Sequence, residues 1–103
     1  YTTLFRSPAS LSHTMITDIL REEMGYRGVV ITDALNMGAI AEKYTSAQAA
    51  VKALQAGTDI LLMPENFKES YKGIIHAVNN GEITEERINE SVRRILKLKL
   101  KLS

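Results

Sequence analysis

Cysteine is absent from this 103-residue sequence, and histidine and proline each occur only twice. The lack of cysteine excludes disulfide bonds and thiolate metal sites, but it does not separate a reducing cytoplasm from a wall-facing compartment, so localisation stays open. The histidines, His13 and His76, fall on separate predicted helices, and neither has a second ligand at metal-binding spacing. Structural or surface roles are therefore favoured for both, and the sequence predicts no metal ion or other cofactor.

Long apolar runs and an excess of either charge are also missing. No stretch reaches the roughly 18 to 20 uninterrupted apolar residues that a membrane-spanning helix needs. The 13 Lys plus Arg residues nearly balance the 12 Asp plus Glu residues, which gives a net charge of +1. This balance favours neither nucleic acid nor a membrane surface as a partner. The glycines also lack the Gly-x-Gly-x-x-Gly spacing after a predicted strand, so a nucleotide site is not expected.

Hydrophobic spacing predicts six elements in the order helix, strand, helix, strand, helix, helix. The first helix covers residues 13–24 and begins after Ser12, a favoured N-cap residue. The second covers residues 46–55, with Gly57 just beyond its end. The two strands are short apolar runs, predicted over residues 28–33 and 59–63.

The last two helices are defined by apolar stripes. The third ends at Asn80 and Gly81, and the fourth begins at Thr84, where Ile83 and Ile88 are spaced as a hydrophobic staple. Leucine and lysine alternate over residues 96–102, which could indicate an edge strand, but we favour a continued helix. The stripe of the third helix places five apolar residues along one side: Phe67, Tyr71, Ile74, Ile75 and Val78.

Two strands joined through a helix form a βαβ unit, and a strand of such a parallel sheet needs neighbours at both edges and cover on both faces. Two strands alone cannot supply these. The predicted fold class is therefore α/β, a fragment of a (β/α)₈ TIM barrel that comprises its last two strands with their helices. Residues 1–103, which start at Tyr1 without an initiator Met, are expected to be one portion of a longer barrel domain. The uncovered strands are expected to associate with the remainder of the barrel or with a second copy.

One carboxylate stands at the end of the first predicted strand. Asp33 follows a β-branched run over residues 29–32, so it falls at the carboxyl end of a buried strand, where parallel α/β folds place reacting groups. Taken alone, such an acid could also cap a turn or pair with a cation. Asp59, at the start of the second strand, is interpreted as a turn or capping acid, and Asp18 as a solvated helix residue.

Residues 19–36 resemble the signature of family 3 glycoside hydrolases: two aliphatic residues, a basic residue, acids, then Gly, three apolar residues, Thr or Ser, and Asp. Residues 8–12, 33–40 and 56–64 also resemble the β-N-acetylhexosaminidase branch of that family. The resemblance implies the C-terminal part of a barrel domain and a carbohydrate substrate. It also implies that Asp33 is the catalytic nucleophile of a retaining hydrolase, whereas Thr32 is interpreted as packing.

The resemblance also implies what the chain does not carry. In this branch the proton donor is typically a His paired with an Asp, in a Lys-His and Gly-His-Gly-Asp region far upstream, and these 103 residues contain no such region. The isolated chain is therefore expected to have negligible turnover. Met37, in the loop after the nucleophile, could edge the sugar pocket or fill the core, and the two roles are equally supported.

The substrate is indicated by the residue after the nucleophile. β-Glucosidases and xylosidases of the family usually have Ser-Asp-Trp, whereas this chain has Thr32, Asp33 and Ala34. The resemblance thus favours N-acetylglucosamine-containing glycans such as peptidoglycan turnover products. A family 3 β-glucosidase or xylosidase, and a phosphorylase that passes the sugar to phosphate, remain alternatives. The competing class is a non-catalytic interaction module that has kept the barrel segment for packing.

Overall fold

The structure is a computed structural model that describes residues 12–35 and 43–102, apart from the side chains of Asp33 and Ala34. The elements of these residues follow the predicted order, and within them β1 and β2 pair in parallel. The prediction of a parallel βαβ unit is therefore confirmed. In chain order the elements are α1 (Thr14–Glu23), β1 (Ile31–Ala34), α2 (Ser46–Ala56), β2 (Ile60–Leu62), α3 (Phe67–Asn79) and α4 (Glu85–Leu102).

Local hydrogen bonds define the ends of α2. Thr45 Oγ1 accepts from the Gln48 amide at 3.1 Å, and Gln48 Oε1 accepts from the Thr45 amide at 3.0 Å, which is a complete capping box. The helix ends at Gly57, whose φ of 116° is left-handed. A Cβ atom on Gly57 would lie 2.5 Å from Thr17 Oγ1, so both the conformation and the close approach require glycine.

Helix α1 lies at its predicted position, but its backbone hydrogen bonds span more residues than those of an α-helix. Ser12 Oγ accepts from the Met15 amide at 3.2 Å, as its predicted capping role requires. The helix is a π-helix over its ten residues, and the Met24 amide bonds to the carbonyl of Ile19, five residues earlier, at 2.9 Å. Apolar spacing locates a helix, but it does not fix which carbonyl each amide reaches.

Strand β1 begins later than predicted, at Ile31 rather than residue 28. The backbone groups of residues 28–30 bond largely to side chains. The carbonyls of Gly28 and Val29 accept from Arg21 and from the Tyr26 hydroxyl, and the Val30 amide donates to Asp59. The predicted strand over residues 28–33 was therefore wrong at its start, because side chains rather than a neighbouring strand bond to the carbonyls of Gly28 and Val29.

The core lies on both sides of α2. Ala49 and Ala53 pack with Leu35 and the half-buried Leu61 on the sheet side. Leu54 packs with Ala77 and Ile83, and Ile88 of α4 joins this second cluster. The second helix is therefore the central layer between the sheet and the last two helices. The prediction that α4 continues as a helix through the Leu/Lys alternation to Leu102 is confirmed.

Helix α3 places only part of its predicted apolar stripe against the core, because Ile74 and Val78 pack with the second cluster. Phe67 and Tyr71 are exposed and stack with ring centroids 6.5 Å apart, whereas Ser70 and Ala77 are buried. Gly73 approaches α2 so closely that a Cβ atom on it would lie 2.7 Å from the Ala47 Cβ. Small residues let the two helices approach, and Phe67, Tyr71 and Ile75 remain exposed.

Candidate active site

Asp33 is the third of the four residues of β1. Because β1 and β2 are parallel, both end at one edge of the sheet, at Ala34 and Leu62, which we call the carboxyl edge. The backbone therefore puts the predicted nucleophile one residue from the end of its strand, at the edge where parallel α/β enzymes carry their chemistry. Its catalytic role stays a prediction. Met37, the predicted pocket residue, lies outside the described residues.

The strand pairing is irregular at Asp33. Ile31 pairs with Ile60 and Ala34 pairs with Leu62, so two residues of β1, Thr32 and Asp33, face one residue of β2. This two-against-one arrangement is a β-bulge, a feature that bends a strand and re-aims side chains and that recurs at barrel rims and beside active sites. Sequence reasoning missed the bulge, because it depends on the register with a strand almost thirty residues away.

Thr32 lies at the bulge and is buried, with 3% of its surface exposed. Its Oγ1 accepts a hydrogen bond from the Leu62 amide at 2.8 Å. The interpretation of Thr32 as a packing residue therefore holds for its burial but omits a bond that links the two strands. Met63, just after β2, has a φ of 47°, which is rare for a residue other than glycine, and it is exposed near the carboxyl edge.

Asp59 lies at the opposite edge, immediately before β2, and its side chain is fully buried. One oxygen, Oδ2, accepts from Arg21 Nη2 at 2.8 Å and from the Val30 amide at 2.9 Å. The other, Oδ1, accepts from Ser91 Oγ at 2.6 Å and from Arg94 Nη1 at 2.9 Å. We call these groups the Asp59 cluster. It connects α1, the segment before β1, β2 and α4.

The electrostatics of the Asp59 cluster favour the charged carboxylate. Burial alone would raise the pKa of Asp59, but the hydrogen bonds from Ser91, Val30 and Arg94 and the charge of Arg21 outweigh it, so the pKa lies below its usual range. The interpretation of Asp59 as a turn or capping acid was therefore wrong. An acid directly before an apolar strand was the available signal, and its two arginine partners come from distant helices.

The remaining singled-out residues lie on helices. His13 is exposed and its Nδ1 is 3.5 Å from Asp18 Oδ1, on a side chain that is itself half exposed. His76 is exposed on α3. Within residues 12–35 and 43–102, no group of three His, Cys, Asp or Glu side chains could hold a metal ion. No helix in the same part of the chain has the length and apolarity needed to cross a bilayer.

The profile of the glycosyl hydrolase family 3 N terminal domain matches residues 1–98. The chain belongs to glycoside hydrolase family 3. The N-terminal domain of this family is a TIM barrel, so the two parallel strands and their helices are an α/β fragment of that barrel, as predicted.

Individual relatives agree with the family assignment. The chain is 35% identical to beta-hexosaminidase A of Pseudoalteromonas piscicida over 92% of its own length and 17% of the relative's. It is 33% identical to a beta-N-acetylglucosaminidase/beta-glucosidase of Cellulomonas fimi over 92% and 17% of the two lengths. The solved family 3 beta-N-acetylglucosaminidase from Paenibacillus sp. str. FPU-7 superimposes with a TM-score of 0.88 and 44% identity, over 92% of this chain and 19% of that one. The chain thus spans less than a fifth of the length of each of these three family 3 relatives.

Proposed function

We propose that this chain is part of a retaining β-N-acetylglucosaminidase that removes terminal N-acetylglucosamine from glycans such as peptidoglycan turnover products. Residues 1–103 would be the C-terminal portion of its barrel domain, and Asp33 would be the nucleophile. The observation that carries the proposal is the position of Asp33 beside the end of β1, at the carboxyl edge, within a chain of this family. The hexosaminidase and N-acetylglucosaminidase names of its relatives support the substrate.

The chemistry requires a carboxylate on one side of the glycosidic bond and a proton donor on the other. The nucleophile attacks the anomeric carbon and forms a covalent glycosyl-enzyme, while the leaving oxygen takes the donor's proton. Water then attacks the same carbon and releases the sugar, and the donor residue acts as the base. A short side chain at the end of a strand is well suited to hold an oxygen about 3 to 3.5 Å from the reacting carbon.

The chain is proposed to supply only one of these two groups. Its histidines lie on α3 and at the start of α1, and both are exposed. The resemblance assigns the proton donor to an upstream loop, which is why negligible turnover is expected from residues 1–103 alone. A β-glucosidase activity is the second candidate, because one relative carries both names.

The deciding experiment replaces Asp33 with Asn in the intact enzyme that contains this chain. We expect the turnover of an aryl N-acetylglucosaminide to fall by at least about a thousand-fold, because the amide cannot act as the nucleophile. The matched control is Asp18→Asn, which removes a half-exposed acid on α1 and should leave turnover unchanged. A 5-fluoro N-acetylglucosaminyl fluoride should label the wild-type enzyme on the peptide that contains Asp33.

The outcomes separate the candidate functions. Turnover that survives Asp33→Asn in a folded protein, or a label on another peptide, would overturn the nucleophile assignment. Preference for aryl glucosides would favour the glucosidase, and formation of a sugar phosphate on addition of inorganic phosphate would favour the phosphorylase. If the intact wild-type protein turns over none of these glycosides, the result would favour the non-catalytic interaction module.

A further inference from the structure

The bulge in β1 has a side-chain bond at its centre. Between the Ile31/Ile60 and Ala34/Leu62 pairs, the register moves by one residue, and Thr32 is the first of the two residues that share the bulge. Its hydroxyl oxygen accepts from the Leu62 amide at 2.8 Å. Thr32 therefore joins β1 to β2 through its side chain at the residue immediately before Asp33.

The backbone hydrogen bonds between β1 and β2 explain why a hydroxyl acceptor is needed at Thr32. In a parallel pair the bonds recur every two residues, so the Ile60 amide that donates to the Val30 carbonyl predicts a Leu62 amide that donates to the Thr32 carbonyl. Here the Leu35 amide donates to the Leu62 carbonyl at 2.9 Å, one residue later than an unbroken ladder requires. The Thr32 hydroxyl spans this offset. Valine has the same shape as threonine but offers no acceptor.

We propose that Thr32 is a positioning residue whose hydroxyl fixes the bulge in β1 and thereby the backbone of Asp33. The inference rests on the proposed role of Asp33 as nucleophile. Thr32 is buried and does not contact the sugar in this scheme; it acts through the chain. Because its branched Cβ restricts χ1, the oxygen is held toward β2. Loss of the bond would let Asp33 shift, and a shift of about 1 Å can lower a rate about a hundred-fold.

The test compares Thr32→Val, Thr32→Ala and Thr32→Ser in the intact enzyme. We expect kcat to fall about 10- to 100-fold in the Val and Ala variants with KM changed less than about three-fold. The Ser variant keeps the acceptor and should retain at least about half of the wild-type kcat. The rate of labelling by the fluorinated glycosyl fluoride, which reports the attack step, should fall in parallel with kcat.

The matched control is Thr58→Val. Thr58 is also buried, and its hydroxyl bonds to the Ala53 carbonyl at 2.6 Å, but it lies before β2, away from the carboxyl edge. We expect this variant to lower the melting temperature without lowering kcat. Equal kcat for the Ser, Ala and Val variants of Thr32, or an equal loss in Thr58→Val, would overturn the positioning role. If Thr32→Val does not fold, the comparison of Ala with Ser gives the same decision.

The two proposals fail separately. Loss of turnover in Asp33→Asn together with wild-type kcat in Thr32→Val would refute the positioning role and leave the nucleophile assignment intact. Retention of turnover in Asp33→Asn would refute the nucleophile assignment whatever Thr32 does.

Discussion

At the scale of single residues, one buried carboxylate holds four donors from separate parts of the chain. The Asp59 cluster contains two arginines and one aspartate, and the side chains of Arg21 and Arg94 are only 10% and 22% exposed. Desolvation of such charges is compensated only while every partner is present. Removing the central charge would leave Arg21 without its acidic partner and Arg94 with only Glu90, whose Oε2 lies 3.8 Å from Arg94 Nη2. Loss of the cluster should therefore destabilise the folded protein more than loss of a surface ion pair does.

We expect Asp59→Asn to destabilise the intact protein by about 3 kcal/mol, because it removes the buried counter-charge of Arg21 and Arg94. The matched control is Glu86→Gln, which breaks an exposed ion pair with Arg93 (3.2 Å) and should change stability by at most about 1 kcal/mol. Calorimetry of both variants measures the difference. Equal melting temperatures for wild type and Asp59→Asn would refute the stabilising role of the cluster.

The pH dependence of the same variant gives a second measurement. Because the folded-state pKa of Asp59 lies below its usual value of 3.8, its contribution to stability is complete well above that value and is lost as the pH falls toward the lower folded pKa. Wild-type stability should therefore decline more steeply below about pH 5 than that of Asp59→Asn. Parallel curves for the two proteins would contradict this assignment.

At the scale of elements, the contact between α2 and α3 depends on the absence of a side chain at Gly73. Gly73→Ala would raise helix propensity by about 1 kcal/mol, but its Cβ would lie 2.7 Å from the Cβ and 3.0 Å from the Cα of Ala47. Overpacking of this kind costs about 1 to 3 kcal/mol, so we expect a net loss of stability of about 1 kcal/mol. Melting temperatures of the intact variants provide the measurement.

The control for Gly73→Ala is the same substitution in an Ala47→Gly background, where the opposing Cβ is gone. There we expect the added methyl group to cost less stability than in the wild-type background, because only the 3.0 Å approach to the Cα of residue 47 remains, so the two positions should show a coupling energy in a double-mutant cycle. A stabilised Gly73→Ala single variant would mean that propensity outweighs packing and that the helices separate easily.

The same elements show which features were predictable from sequence. Caps and stops such as Gly57 depend on neighbours within one turn, so their residue types suffice to locate them. The bulge at Thr32 and the buried face of α3 depend on partners from other elements. The apolar stripe of α3 faces the core at Ile74 and Val78 but not at Phe67, and the close approach at Gly73 was missed because glycine carries little hydrophobic signal. Asp59 was misassigned because its arginines are separated from it by more than thirty residues.

At the scale of the whole molecule, the two ends of the parallel strands have different roles. The Asp59 cluster binds helices to the edge where the strands begin, and the proposed nucleophile and the bulge lie at the edge where they end. In barrel enzymes the first edge supports stability and the second carries the chemistry. A substitution that loosens the cluster should therefore lower the melting temperature and leave kcat nearly unchanged. Thr32 variants should lower kcat with a smaller change in melting temperature.

The sheet itself is incomplete as a unit of folding. Among the described residues β1 and β2 have only each other as partners, and apolar side chains on or beside them are open to solvent, such as Ile31 at 55% and Met63 at 55% exposure. Unpaired strand edges bind other strands readily. The remainder of the barrel would cover this surface in the intact protein, and a second copy is the alternative for the isolated chain.

We therefore expect the isolated chain, at tens of micromolar, to form dimers or larger species in light scattering, because association covers the edges and apolar surface of its sheet. Ile31→Lys should shift the population toward monomer by placing a charge on β1. Ile75→Lys, which changes a comparably exposed isoleucine (44%) on α3, should not. Circular dichroism would verify that each variant stays folded. A folded wild-type monomer, or equal effects of the two lysines, would show that association is not driven by the sheet.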